Sequence, residues 1–135
     1  MKVAVIDGQG GRLGQTVIEK ICERGIDCEL TAIGTNSAAT TAMLRAGAKQ
    51  GATGENPVVV AARTSDVIIC PIGLLAADAL LGEVTEKMAA AVGRSSATKL
   101  LIPVNMCENV VVGTQSLTMA QLIDEAVAML EKMCG

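Results

Sequence analysis

The 135-residue chain contains no histidine, phenylalanine, tyrosine or tryptophan. Without an imidazole, a Ser-His-Asp triad and a Cys-His dyad are impossible within the chain, and the usual acid/base of neutral-pH catalysis is missing. Without aromatic rings there is no Tyr-Lys pair and no platform on which a nucleobase could stack. Cations are also sparse: 11 Lys and Arg stand scattered against 14 Asp and Glu, for a formal charge of −3. No basic patch exists for neutralising a nucleic-acid backbone, so nucleic-acid binding is disfavoured. The longest apolar stretch, Val67 to Leu81, is interrupted by Pro71, Gly73 and Asp78 and does not read as a membrane span. Val3 to Ile6 is too short for a signal peptide, and the expected setting is the cytoplasm, away from membranes. The five cysteines are odd in number and form no Cys-x-x-Cys pair, which argues against a disulfide framework and against a zinc site. No metal site is expected.

What is present is an alternation of strand and helix signals. Lys2 to Ile6 is a short β-branched run, followed after a glycine-rich stretch by Leu13, Val17, Ile18 and Ile21 at helical spacing up to Gly25. "CELTAIG" (28–34) reads as a second strand, 37–46 as an Ala-rich helix closed by Gly47, and "AKQGA" as a weak edge strand. Asn56-Pro57 has the form of an N-cap and first helical residue, opening a helix to about Arg63. "VIIC" (67–70) reads as a strand buried on both faces, and the Ala- and Leu-rich stretch from Gly73 to Leu81 as helix. Thr85 caps another helix to about Val92, "KLLIPVN" (99–105) is a central strand and "NVVVG" (109–113) a short one. Thr118 and Gln121 form a capping box opening a last amphipathic helix. Strands apolar throughout, alternating with helices, call for a mostly parallel sheet covered on both faces. The expected fold is α/β, Rossmann-like or flavodoxin-like, with a three-layer Rossmann-like domain spanning residues 1–135 as the first choice.

In such a sheet ligands bind beyond the carboxyl ends of the strands, where the strand order reverses. "VIDGQGGRLG" places four glycines there, within seven positions after the first strand. Glycines let a backbone approach a phosphate, and the following helix offers free N–H groups and the positive end of its dipole. Gly8, Gly10 and Gly14 miss the standard G-x-G-x-x-G spacing by one residue, whereas Gly8, Gly11 and Gly14 match a G-x-x-G-x-x-G variant. The expected cofactor-binding loop is therefore Asp7, Gly8, Gln9, Gly10, Gly11, Arg12, Leu13 and Gly14. A dinucleotide site also wants an acidic residue at the end of the second strand to hold the adenine ribose, and that position reads Gly34-Thr35-Asn36-Ser37. Asn36, Ser37 and Arg12 are the residues left to meet a ribose or a 2′-phosphate, so NAD and NADP stay as the candidate cofactors. No Gly-Lys-Ser/Thr follows the loop, which excludes a P-loop.

Each candidate also has a purely structural reading. The loop itself would then be a tight turn between a buried strand and a helix. Asp7 could face a ribose or simply hydrogen-bond its own turn. Thr35, Asn36 and Ser37 either line the crevice or cap the second helix. Thr53, Glu55 and Asn56 form a polar cluster in which Asn56 is the expected cap and Glu55 is left without that duty. Pro71, Ile72, Gly73 and Asn105 fall at the same expected sheet edge as Asp7. Cys70 and Cys107 flank that edge, but no neighbouring cation lowers either thiol, and both read as small hydrophobes rather than nucleophiles.

The first strand, the glycine loop and "GATGENPVVVAARTSDVIICPIG" resemble dehydrogenase-like proteins over roughly the first half of the chain. The blocks "IDGQGG", "GTNSAAT", "AMLRAGA", "GATGEN", "PIG", "LGEVT" and "LIPVN" together resemble, nearly end to end, the short bacterial proteins of domain-of-unknown-function family 3842. That resemblance implies a Rossmann-like domain and brings no established activity. In that family glycine is common where this chain has Arg12, a departure that crowds the loop or adds a phosphate-binding guanidinium. The expectation is thus a homodimeric nucleotide binder, taking a nucleotide or other phosphate-bearing small molecule at residues 8–14. If it is an enzyme, hydride transfer with a nicotinamide suits the missing His and Tyr best, because the cofactor carries the hard step. Against it stand a non-catalytic sensor or assembly module with a structural glycine turn, and a small-metabolite enzyme with Asp7 or Glu55 as base. A Gly11→Asp change is expected to separate the first two by abolishing binding without unfolding the chain.

Overall fold

The computed structural model describes residues 1–104 and 109–135. Five strands form one parallel sheet in the order β3-β2-β1-β4-β5. They are β1 (Lys2–Asp7), β2 (Glu29–Gly34), β3 (Gln50–Thr53), β4 (Val67–Pro71) and β5 (Thr98–Ile102). The helices are α1 (Arg12–Glu23), α2 (Ser37–Arg45), α3 (Glu55–Thr64), α4 (Glu86–Arg94) and α5 (Met119–Cys134), with one 3-10 turn at Ile72–Leu75. This is the Rossmann strand order: the chain runs outward from β1 through β2 to β3, then crosses back to place β4 on the other side of β1. The reversal point lies between β1 and β4, beyond Asp7 and Pro71.

Alternation along the strands divides the interior into two cores. Val3 and Val5 of β1 join Val67 and Ile69 of β4 beneath α1, α2 and α5, where Val17, Ile18, Met43, Ile123 and Leu130 are buried. Ala4, Ile6, Ile68 and Cys70 point the other way, onto Val58, Ala62, Met88 and Val92 of α3 and α4. Every residue of β4 is buried, as expected of a strand with helices on both faces. Burying a Val or Ile side chain contributes roughly 1.5–3 kcal/mol, so this central pair of strands is the main source of cohesion.

Four expected elements differ. The strand expected as central over 99–105 is β5, which spans Thr98–Ile102 and lies at the outer edge of the sheet, paired with β4. Gly54, at φ +108°, is the N-cap of α3, and Asn56 lies inside its first turn, because the helix starts two residues earlier and places Glu55 against the positive dipole end. The stretch from Gly73 to Leu81 is not a helix beyond the 3-10 turn: Asp78, Leu80 and Leu81 have positive φ, and Leu80 and Val84 turn inward to the second core. Burial of those two side chains overrides the helical propensity of "LLAADALL". From 109 to 113 only Asn109 makes a bridge, so no strand forms there among the described residues. The edge strand β3, the Thr85 cap and the Thr118–Gln121 capping box are as expected.

Candidate functional site

The edge of the sheet beyond β1 is organised by two carboxylates. Asp7 ends β1 almost fully buried, and its Oδ1 and Oδ2 accept the N–H groups of Gly8 and Gly14, each at 2.8 Å. Gly11 is the N-cap of α1 and has no side chain, so the helix is capped instead from the strand before it. Burial pushes the Asp7 carboxyl above its ordinary range, the Gly14 and Gly8 N–H groups oppose this, and the charge of Glu83 adds to the rise.

Glu83 is the second carboxylate, and it comes from the turn before α4. Its Oε1 accepts the Thr35 hydroxyl at 2.6 Å, the Gln9 N–H at 2.8 Å and the Asn36 side-chain amide at 2.8 Å. Desolvation alone would raise this carboxyl; the bonds from Thr35, Gln9 and Asn36 outweigh it and hold Glu83 below the ordinary range. Asn36 is fully engaged. Its Oδ1 caps α2 through the Ala39 N–H at 2.9 Å, and its Nδ2 also donates to the Gln9 carbonyl at 2.9 Å.

The glycines have different duties. A Cβ on Gly11, whose φ is +71°, would lie 2.7 Å from Cα of Ala39, so this glycine is required for α1 to meet the start of α2. Gly11→Asp would therefore damage the fold and cannot separate binding from folding, contrary to expectation. A Cβ on Gly8 would meet Thr35 Oγ1 at 2.6 Å, Leu80 Cδ1 at 2.7 Å and Glu83 Oε1 at 3.0 Å. Gly10 is open, with nothing nearer than 4.0 Å. Among the described residues the Gly10 and Arg12 N–H groups meet no protein acceptor. Both residues line a cavity of about 160 Å³ with Asp7, Gly8, Gln9, Gly11, Leu13, Pro71, Leu80 and Val104.

A family model described as "Domain of unknown function (DUF3842)" matches residues 2–135. The chain belongs to this family. A search of curated proteins finds no match. Among solved structures, the DUF3842 chain is similar to a dodecameric FMN-dependent Ubix-like decarboxylase from Escherichia coli O157:H7, with 14% identity and a TM-score of 0.51. The similarity covers 97% of this chain and 93% of that one and establishes a shared α/β fold.

The DUF3842 fold brings together most of the sequence-expected residues. Residues 7–13 and Pro71 share the cavity, and Thr35 and Asn36 join the loop through Glu83 and the Gln9 carbonyl. Ser37 starts α2 and is exposed. Gly14 is buried at the Asp7 carboxylate rather than in the cavity wall. Ile72 and Gly73 line an adjoining cavity of about 540 Å³, which shares Leu80 and Val104 with the first. Asn105 and Cys107 lie outside the described residues. Glu55 stands at the start of α3 and lines neither cavity. Cys70 is fully buried, and burial pushes its thiol to about 12, so it is a core residue and no nucleophile. Glu83 and Leu80 are absent from the sequence-level candidates, although "LGEVT" stands among the blocks that carry the family resemblance.

Proposed function

We propose that this protein binds a phosphate-bearing nucleotide over its glycine loop, with the phosphate at the Gly10 and Arg12 N–H groups and the Arg12 guanidinium beside them. The observation that carries this is the coincidence of unaccepted loop N–H groups, an exposed Arg12 and a cavity at the reversal point of a parallel sheet. Asp7 supports the site as a positioning residue, holding the loop to α1. Its two oxygens are taken by loop and helix N–H groups, which argues against its use as a general base.

The finer choice is between a dinucleotide, NAD or NADP, and a mononucleotide. β2 ends at Gly34 and is followed by Thr35 rather than an acidic residue, and the cavity of about 160 Å³ is small for a pyrophosphate and its two nucleosides. The fold neighbour is described as FMN-dependent. A single phosphate, as in FMN, fits these limits better, and FMN is the first ligand to test, ahead of NADP and NAD.

The assembly-module alternative draws on a groove of about 460 Å³ between α3 and the outer strands, lined by Thr31, Gln50, Ala52, Asn56 and Val60.

The lack of aromatic residues makes the decisive experiment simple, because the chain is nearly transparent in the near ultraviolet. Purified protein carrying a nucleobase band, with a visible flavin band or the longer-wavelength band of reduced nicotinamide, supports binding and names the class. Gly10→Asp then adds a negative charge where space is open, leaving the melting temperature near wild type and lowering affinity about tenfold or more. Equal affinity in that variant, or no band and no stabilisation by FMN, NADP or NAD, overturns the reading.

A further inference from the structure

Segment 76–84 lies directly over Gly8, and it is a closed unit. Asp78 N–H donates to the Val84 carbonyl at 2.7 Å, Val84 N–H to Ala79 at 3.2 Å and Gly82 N–H to Asp78 at 3.0 Å. Among the described residues, its polar ties to the glycine loop and the β2 edge all pass through a single atom, Glu83 Oε1. The donors on that atom are a backbone N–H, a hydroxyl and an amide, all neutral. Such a set recognises any oxyanion oxygen, and here it is satisfied from within the chain.

The same segment fills the space above the loop. Leu80 Cδ1 and Glu83 Oε1 stand 2.7 and 3.0 Å from where a Cβ on Gly8 would lie, so no ligand atom reaches the Gly8 backbone while they are in place. The segment is also strained. Asp78 (φ +66°), Leu80 (+56°) and Leu81 (+57°) are three non-glycine residues in the left-handed region, and Leu81 is 93% exposed. Strain of this kind persists only where surrounding contacts enforce it, and it is relieved when those contacts are released.

We infer that segment 76–84 is a built-in plug, in which the Glu83 carboxylate occupies the oxyanion donors of the loop and an anionic ligand enters by displacing it. This rests on the nucleotide reading above and adds its regulation: the ligand's oxyanion takes over the Gln9, Thr35 and Asn36 donors, and Leu80 swings away from Gly8. The opposing cost is the loss of burial at Leu80 and Val84, which are 5% and 0% exposed. The plug is therefore closed in the absence of ligand.

The test is titration of FMN into wild type, Glu83→Gln and Glu83→Ala, followed by flavin fluorescence, with circular dichroism to confirm that each variant folds. Both variants are expected to bind FMN about tenfold more tightly or better, since a competing charge and its hold on the donors are gone. Hydrogen exchange on the unaltered protein provides a measurement that needs no variant, and saturating FMN is expected to speed exchange in residues 76–84. Binding by wild type that is unchanged or weaker in both variants, or slower exchange in 76–84, overturns the plug and leaves the nucleotide reading standing. No binding by any of the three proteins overturns both.

Discussion

Asp7 and Glu83 show how two carboxylates near one loop acquire opposite responses to acid. The Asp7 pKa is raised above 3.8 by burial, so the folded chain takes up a proton there before the unfolded chain does. Its contribution makes stability fall as pH rises from about 3.8 through the raised folded value. Glu83 is held below 4.5 by its three donors; its contribution is present above 4.5 and is lost as pH falls through the lowered folded value. Carbon-13 NMR titration of the two carboxyls is expected to place Asp7 above 3.8 and Glu83 below 4.5. An Asp7 value below 3.8 would contradict the dominance of burial over its N–H bonds, and a Glu83 value above 4.5 would contradict the three donors assigned to it.

At the scale of elements, local signals and tertiary demands agree in some places and conflict in others. The Thr118–Gln121 capping box was legible because its chemistry is contained in four consecutive residues. Thr118→Ala is expected to destabilise the chain by about 1 kcal/mol in urea unfolding. The cap of α1 was not legible, since its acceptor, Asp7, stands in the preceding strand and looks from sequence like a free site carboxylate. The stretch from Gly73 to Leu81 departs from its helical expectation for a related reason: helical composition is visible, whereas the inward turn of Leu80 and Val84 depends on a core assembled from distant residues. Glu83 was missed with it. Gly11 was correctly singled out, but for a ligand rather than for its contact with α2. Gly11→Ala combines a left-handed φ with a collision at the Ala39 backbone, and should cost about 3 kcal/mol, read as a lowered denaturation midpoint.

For the molecule as a whole, the fold was the most legible property. Five strands are legible along the chain because β1 is a β-branched run ahead of the glycine loop, β2, β4 and β5 stand between helices, and β3 follows a helix closed by Gly47; the position of β5 at the sheet edge is not. Strand order is not legible in the same way, because the alternation of strands and helices suits more than one doubly wound order, and the structure gives β3-β2-β1-β4-β5. No helix among the described residues is long and apolar enough to cross a membrane. The homodimer expectation turns on surface that sequence cannot locate. Val110, Val112, Leu117, Met119 and Met129 are apolar and substantially exposed. We propose that they support self-association, and light scattering is expected to return a multiple of 13.8 kDa. A monomer mass at micromolar concentration would refute it.

The alternation of β1 between two cores has one more consequence. Val3 and Val5 enter one core, Ala4 and Ile6 the other, and Asp7 follows at a fixed distance to reach Gly14. The strand acts as a ruler. Deleting any one residue from 3 to 6 would exchange the faces of its remaining neighbours and draw the carboxylate back by roughly one strand step, about 3.3 Å, out of reach of the helix. Packing and loop geometry would then fail together, so the length of this strand admits no drift even where its individual side chains could be exchanged for others of similar volume.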